Sequence, residues 1–359
     1  MSYLLAFLGF AALIVLHELG HFTAAKAVGM RVERFSLFFG PMVLKRRVGE
    51  TDYGVGVIPL GGYVKISGMS PDDDVYASPE LRHRAYYEQP VWKRLLVIGA
   101  GPFVNLLVAF LILWVLWLAN GQSVVSNSVG GVLHPSAAAG VLKPGDEIVS
   151  VDGVRGGPDK LRGQIDHHRC QGDQVNGCHA QTPVTMVVRR DGVLHTFHIT
   201  PRYNAADHRP LIGFEFGTKT VPVGAGEAAS LTASGLWNVT EHTVSTIGRL
   251  FQPQERRQLH GVVGAYEVTQ KSFSSSTTTA LEVLALISLS LGVVNLFPFL
   301  PLDGGHIFWA IAEKIRGKRI PFAVMERAGF VGFALILVVF AIGLSNDVST
   351  LSGQGFNVP

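Results

Sequence analysis

The chain has 359 residues, of which 48% are hydrophobic and only 16% are charged, and its formal net charge is +3. Its length would allow two or three soluble domains, but the low charged fraction and several long apolar runs exclude an ordinary soluble protein. The composition predicts an α-helical polytopic membrane protein with four transmembrane helices, a membrane-associated β-hairpin region and one inserted soluble domain.

The first apolar run, Tyr3–Ala25, contains the motif His-Glu-Leu-Gly-His. Histidines four residues apart lie on one face of a helix, so His17 and His21 can bind one Zn²⁺ while Glu18 takes a proton from water beside the metal. Ionisable side chains at bilayer depth are costly and are rarely kept without a function. The motif predicts a zinc site within the membrane; the alternative is a polar helix end near the lipid headgroups that binds no metal.

The segment after the first span, Phe35–Gly68, alternates apolar and polar residues and is rich in glycine. This pattern predicts short strands joined by tight turns. Glycine permits close approach of another backbone, so an exposed strand edge that includes Gly61, Gly62 and Tyr63 could bind an extended peptide substrate. The alternative is a structural hairpin that packs on the helices.

The second apolar run, Leu95–Ala119, begins with Gly-Ala-Gly-Pro-Phe-Val-Asn. Its small residues predict close helix packing, and the amide of Asn105 requires a partner inside the membrane. From about residue 121 the composition becomes that of a soluble domain, which includes two strands around the hairpin signal at Asp191 and Gly192.

Residues 131–153 of this insert read as a small-residue helix, a Lys-Pro-Gly-Asp turn and a strand that ends in Asp-Gly. The sequence resembles a PDZ domain, which has a mixed α/β fold, and the resemblance implies a groove that accepts a peptide strand. The insert also holds the two cysteines of the chain, Cys170 and Cys178. Their spacing permits a disulfide in an oxidising compartment but does not establish one.

The third apolar run, Ala280–Leu300, ends in a segment with two prolines that continues into Leu-Asp-Gly-Gly-His. These residues break the helix at membrane depth, where irregular backbone is tolerated only against protein or a cavity. A catalytic zinc commonly takes three protein ligands, so Asp303 would complete the set begun by the two histidines, with His306 as the competing candidate. The amide of Asn295 could bind substrate backbone or form an internal hydrogen bond.

Lysine and arginine are concentrated in the segments that follow the first and the third span. This excess of positive charge predicts that both segments are cytoplasmic, so that both termini and the insert are extracytoplasmic and the active site lies toward the cytoplasmic side. Nucleic-acid binding is the less favoured use of this charge, because loops beside a membrane collect it anyway. In chain order, the predicted segments are a first transmembrane helix (1–30), a β-strand region and loop (31–92), a second transmembrane helix (93–120), the PDZ-like insert (121–205), an extracytoplasmic linker with an amphipathic helix (206–279), a third transmembrane helix (280–312), a cytoplasmic loop (313–327), a fourth transmembrane helix (328–345) and an extracytoplasmic tail (346–359).

The order of these motifs resembles the site-2 protease family, the intramembrane zinc metalloproteases, and within it the bacterial RseP-type group. The resemblance implies that His17, His21 and Asp303 are zinc ligands. It implies that Glu18 is the catalytic acid/base and that Asn295 orients substrate. It further implies a substrate that is a transmembrane segment in the bacterial inner membrane, such as an anti-sigma factor or a signal-peptide remnant. The single PDZ-like unit departs from members that carry two, so substrate selection would differ.

Two other classes of function are open: a catalytically silent membrane scaffold with a PDZ-like domain, and a metal transporter. Glu18 argues against a scaffold, because peptide docking needs no base at that position. A transporter needs a polar path across the bilayer, and the second and fourth apolar runs offer almost no ionisable side chains to line one. The favoured function is zinc-dependent intramembrane proteolysis as part of a regulated cleavage sequence.

Overall fold

The computed structural model describes residues 2–70, 73–76, 78–249 and 261–353. The chain divides into two compact units. One unit combines Met1–Leu116 with Ala225–Pro359, and the other is the insert, Trp117–Gly224. Residues 354–359 of the predicted tail lie outside the described residues.

Within the described residues, four helices are long and apolar enough to cross a membrane, as the sequence predicts. The fourth is longer than the predicted 328–345, because the helix continues through the charged residues Arg327 and Glu326 to Phe322 at one end and through mostly polar residues to Ser352 at the other. Near its C-terminus, the buried carboxylate of Asp347 accepts hydrogen bonds from the backbone N–H groups of Gly261 and Gly264. The four helices are α1 (Ser2–Ala27), α3 (Val91–Asn120), α7 (Thr277–Asn295) and α9 (Phe322–Ser352).

Shorter helices connect these four. Residues 280–327, predicted as a third span and a loop, comprise most of α7, a break at residues 296–302, a second helix that ends at a left-handed Gly317 and the first residues of α9. The break contains two prolines, which cannot donate the backbone hydrogen bonds that would continue α7. The connecting helices are α2 (Pro79–Arg82), α5 (Ala225–Gly248), α6 (Val262–Ser275) and α8 (Asp303–Arg316).

The strands β1 (Val32–Val48) and β2 (Thr51–Ile66) bend so that each contributes two pairing segments. Residues 32–37 lie between two partners and pair with 62–66 on one side and with 52–55 on the other. On the side that faces away from residues 32–37, residues 51–56 pair with 42–48. The backbone of residues 62–66 therefore lies at one edge of this sheet.

Ion pairs anchor the end of α1 to this sheet. The carboxylate of Glu50, in the turn between β1 and β2, accepts two hydrogen bonds of 2.7 Å from the guanidinium of Arg84 and one of 2.9 Å from Nζ of Lys26. The Arg84 guanidinium, together with Lys26, lowers the pKa of Glu50 to about 2. The carboxylate is therefore ionised at neutral pH and holds the three segments together.

A buried ion pair links α3 to α8. The guanidinium of Arg94, whose side chain is 3% exposed, donates to both carboxylate oxygens of Glu313 at 3.1 and 2.8 Å. A bidentate pair of this kind fixes orientation as well as distance. It holds the helix that begins at Asp303 against α3.

The insert is built on a five-stranded antiparallel sheet of order β6-β5-β4-β3-β9, with the helix α4 (Pro158–Asp166) packed on it. Its apolar core includes Ile148, Leu161 and Met186, which are almost fully buried. A separate two-stranded ladder joins β7 to β8. The strands are β3 (Gln122–Val132), β4 (Glu147–Val151), β5 (Val184–Arg190), β6 (Val193–Ile199), β7 (Arg202–Asn204), β8 (Arg209–Leu211) and β9 (Phe214–Val221).

The insert extends beyond the predicted boundary at residue 205. Strand β9 pairs along the length of β3, so residues assigned from sequence to a linker complete the sheet. The pairing joins segments about ninety residues apart, which local sequence patterns do not reveal. Cys170 and Cys178 form a disulfide in this unit.

Candidate metal centre

The first two candidate ligands lie on consecutive turns of α1. The Nε2 atoms of His17 and His21 are 3.2 Å apart, and each residue is 7% exposed. Both rings contact α3, because the four-residue spacing places them on the same face of α1. The motif therefore presents two imidazole nitrogens at one buried point.

The third candidate ligand, Asp303, is the first residue of α8. Its Oδ2 atom lies 3.2 Å from Nε2 of His17 and 3.3 Å from Nε2 of His21. The break after α7 allows α8 to begin at this point, and a helix N-terminus favours a negative charge. The glycines that follow Asp303 pack directly on the break: a Cβ on Gly305 would lie 2.6 Å from the carbonyl carbon of Phe299.

The geometry of these three atoms fits zinc. With zinc–ligand distances of about 2.0–2.1 Å, ligand atoms in a tetrahedral site lie about 3.3–3.4 Å apart. The observed separations are 3.2 to 3.3 Å. Oδ2 of Asp303 is buried with no hydrogen-bond partner among the described residues. Buried lone pairs that converge in this way repel one another unless a cation lies between them, so the donor set suits Zn²⁺.

The second ring nitrogen of each histidine has its own partner on α3. Nδ1 of His21 lies 2.8 Å from the carbonyl oxygen of Val97, an acceptor that requires the proton on Nδ1 and leaves Nε2 free for a metal. Nδ1 of His17 lies 3.1 Å from the side-chain amide of Asn105. The sequence indicates that Asn105 needs a partner but does not indicate that this partner is His17.

Every residue that the sequence suggests as a zinc ligand, as the catalytic acid/base or as a substrate-binding residue lines one cavity of about 440 Å³. His306 lines it too but lies outside the group of three ligand atoms, which makes Asp303 the better third ligand. Nδ2 of Asn295 lies 3.5 Å from Nε2 of His17. The other residues singled out on its walls are Glu18, Gly61, Gly62 and Tyr63.

A glycine that sequence reasoning assigns to helix packing lies against the candidate ligands. A Cβ on Gly101 of α3 would fall on the imidazole ring of His21, 2.6 Å from Cε1 and 2.8 Å from Cδ2. The sequence signal for this position is Gly-Pro-Phe-Val-Asn, the second part of the segment that opens the second apolar run. Its glycine therefore provides the space that the ring of His21, a candidate ligand, occupies.

Comparison with known proteins shows the family to which the chain belongs. The model of peptidase family M50 matches residues 5–339, and the chain belongs to this family of site-2 proteases. The protein is thus a zinc metalloprotease with apolar helices that embed it in a membrane.

Curated relatives cover nearly the whole chain. Metalloprotease MmpA of Caulobacter vibrioides is 31% identical over 94% of this chain and 93% of its own length. A candidate zinc metalloprotease of Campylobacter jejuni, Cj1068, is 29% identical over 99% of this chain and 95% of its own length. A similarly named protein of Nostoc, all3971, is 30% identical over 99% of this chain and 98% of its own length.

We predict that Gly101→Ala abolishes zinc binding. The added methyl group overlaps the His21 ring, and the ring cannot move away without losing its hydrogen bond to Val97. Elemental analysis of the purified protein should show far less than one zinc per chain.

Gly99→Ala is the matched control, since a Cβ at that position has none of the described atoms within 4 Å apart from its chain neighbours and the backbone of its own helix. Both substitutions favour the helical state by a similar amount, about 1 kcal/mol. Equal zinc contents in the two variants would contradict the assigned role of Gly101.

Proposed function

We propose that this membrane protease cleaves transmembrane segments of other membrane proteins, with His17, His21 and Asp303 as its zinc ligands. The proposal is carried by the convergence of these ligand atoms and Glu18 on one cavity formed by apolar helices and a sheet edge. A bound zinc ion supplies Lewis-acid polarisation of the scissile carbonyl and of the attacking water. The residues of the chain supply binding, orientation and proton transfer.

Glu18 acts in this proposal as general base and then as general acid. Its side chain lines the cavity one residue from His17, and it is not part of the ligand group. The carboxylate takes a proton from the water oxygen as that oxygen bonds to the carbonyl carbon. It then delivers this proton to the amine nitrogen as the C–N bond breaks.

The sheet edge at residues 62–66 offers a means of holding the substrate open. A transmembrane helix hides its carbonyl oxygens in hydrogen bonds, so it must be unwound before it can be cut. Among the described residues, β1 is the strand that pairs with this edge, and it does so on one side. An extended substrate adds to the other side as a strand. A side chain on Gly62 would collide with Glu18, so this edge lies directly beside the proposed base.

Asn295 is the proposed substrate-orienting residue. Its amide lies in the same cavity, 3.5 Å from Nε2 of His17. An amide N–H group here donates a hydrogen bond to a substrate carbonyl close to the ligands. Gly61 and Tyr63 complete the proposed binding surface along the strand edge.

The proposed substrates are single-pass proteins already cut outside the membrane, such as an anti-sigma factor or a signal-peptide remnant, in the bacterial inner membrane. In this arrangement both termini and the insert are extracytoplasmic, and the metal centre lies toward the cytoplasmic side. The distribution of lysine and arginine supports this topology. The disulfide between Cys170 and Cys178 supports an oxidising compartment for the insert.

The insert is proposed to act as a filter with a PDZ-like peptide groove. A cavity of about 480 Å³ in this unit is lined by apolar residues such as Ile212 and Phe214, and its charged lining residues are Arg162, Arg209, Asp166, Asp207 and Glu215. The resemblance to a PDZ domain, rather than the mixed charge of this cavity, favours a peptide that ends in a free carboxylate as the occupant. A newly cut protein exposes such an end.

We predict that Glu18→Gln keeps the fold and the zinc but reduces cleavage by about 10²–10⁴-fold, because glutamine cannot accept the proton. Mapping of protein N-termini in membranes from cells with either form should show new termini inside apolar segments with the unchanged enzyme only.

By contrast, His17→Ala, His21→Ala and Asp303→Ala should each lose zinc as well. Unchanged zinc content in these three variants would disprove the ligand assignment.

The topology predicts which sites a membrane-impermeant thiol reagent reaches in intact cells. Cysteines introduced as Arg46→Cys and Gly317→Cys should resist the reagent, whereas Asp191→Cys should react. All three positions are exposed, and the native cysteines are joined in a disulfide. The reverse labelling pattern would place the insert in the cytoplasm.

The filter hypothesis predicts a separation of cleavage from selection. Replacing residues 122–221, from the start of β3 to the end of β9, with a flexible linker should preserve cleavage of a pre-trimmed substrate and increase cleavage of the untrimmed form. A short linker suffices, since Nε1 of Trp114 donates a 3.0 Å hydrogen bond to the carbonyl of Ala225 beside the two attachment points. A folded, zinc-loaded deletion protein that cleaves neither form would show that the insert belongs to the productive complex.

A further inference from the structure

Asn105 is a fully buried polar residue in the interior of α3. Its side-chain amide contacts Nδ1 of His17 at 3.1 Å. Its backbone carbonyl accepts a 2.9 Å hydrogen bond from Oγ of Ser288 on α7, which is also buried. Asn105 is thus held between α1 and α7, with its amide directed at a candidate ligand.

The chemistry of metal binding decides which atom of this amide faces the ring. A histidine that binds a metal through Nε2 carries its ring proton on Nδ1. That N–H group needs an acceptor, which Oδ1 of Asn105 can provide and Nδ2 cannot. A half-turn of the side-chain amide of Asn105 exchanges the positions of Oδ1 and Nδ2, and the hydrogen bonds that each atom can form decide between the two orientations. With Nδ2 toward His17, Oδ1 is buried without a partner among the described residues, so the half-turn costs the oxygen no hydrogen bond.

We infer that Asn105 is a positioning residue of the metal centre. Its Oδ1 accepts the Nδ1–H of His17, which fixes the tautomer and the angle of the ring and leaves Nε2 free to bind zinc. The carbonyl of Val97 performs the same task for His21. The inference rests on the proposed role of His17 as a ligand.

Loss of such an outer partner lowers metal affinity by about 10–100-fold in other sites, because the ring loses its orientation and part of its basicity. The effect is on metal binding itself, so it can be measured without a substrate. A competition assay between the purified full-length protein in detergent and a zinc chelator provides the affinity.

Asn105→Asp is the decisive variant, because an ionised aspartate has the shape of asparagine but can only accept hydrogen bonds. We expect it to bind zinc at least as tightly as the unchanged protein. Asn105→Leu, which has a similar volume and no acceptor, should bind zinc about 10–100-fold more weakly. A loss of affinity in Asn105→Asp would show that the amide donates to the ring and would overturn the inference, even if Asn105→Leu does not fold.

Two further variants separate the possible causes. Ser288→Ala removes the hydrogen bond to the backbone of Asn105 but no contact with His17, so it should keep its zinc affinity. A loss equal to that of Asn105→Leu would mean that helix packing, not the ring hydrogen bond, is responsible. His17→Ala tests the ligand itself, and normal zinc binding by this variant would show that the proposed ligand set is wrong. If His17→Ala loses zinc and Asn105→Asp also loses zinc affinity, only the positioning role of Asn105 is rejected.

Discussion

The structure depends on the convergence of three lone-pair-bearing atoms at one point among apolar helices. A polar cluster of this kind is unfavourable in apolar surroundings unless a cation lies within it and its remaining polar atoms find partners. The described residues meet the requirement for hydrogen-bond partners in part, because the carbonyl of Val97 accepts a hydrogen bond from Nδ1 of His21. The packing of helices around the cluster follows from the same requirement.

Helix α3 supplies most of this support from a single face. Val97, Gly101 and Asn105 are each four residues apart and therefore follow one another along one side of the helix. The first contacts the ring of His21, the second leaves space for that ring, and the third contacts His17. The Arg94–Glu313 pair, one turn before Val97, ties the same helix to the one that carries Asp303. Two histidines and an aspartate from separate segments are thus positioned by one helix.

The sheet edge and the metal centre share a geometric constraint. A Cβ on Gly62 would overlap the side chain of Glu18, which places the backbone of β2 beside the proposed base. An extended peptide paired with this edge would pass the ligands with its carbonyl groups spaced along the strand. In the proposed function, strand pairing and catalysis therefore act on one opened segment in the cavity.

The sequence by itself determined the properties that have a local period or a local chemical cause. The four apolar helices, the shared face of His17 and His21 and the break before Asp303 follow from hydropathy, helical repeat and proline chemistry. Tertiary structure alone decided that β9 completes the sheet of the insert and that Gly101 faces the ring of His21. It also decided that the Val97 carbonyl, 76 residues away in the chain, accepts from His21. These contacts join residues distant in the chain, and no local periodicity encodes which distant backbone atom a side chain will meet.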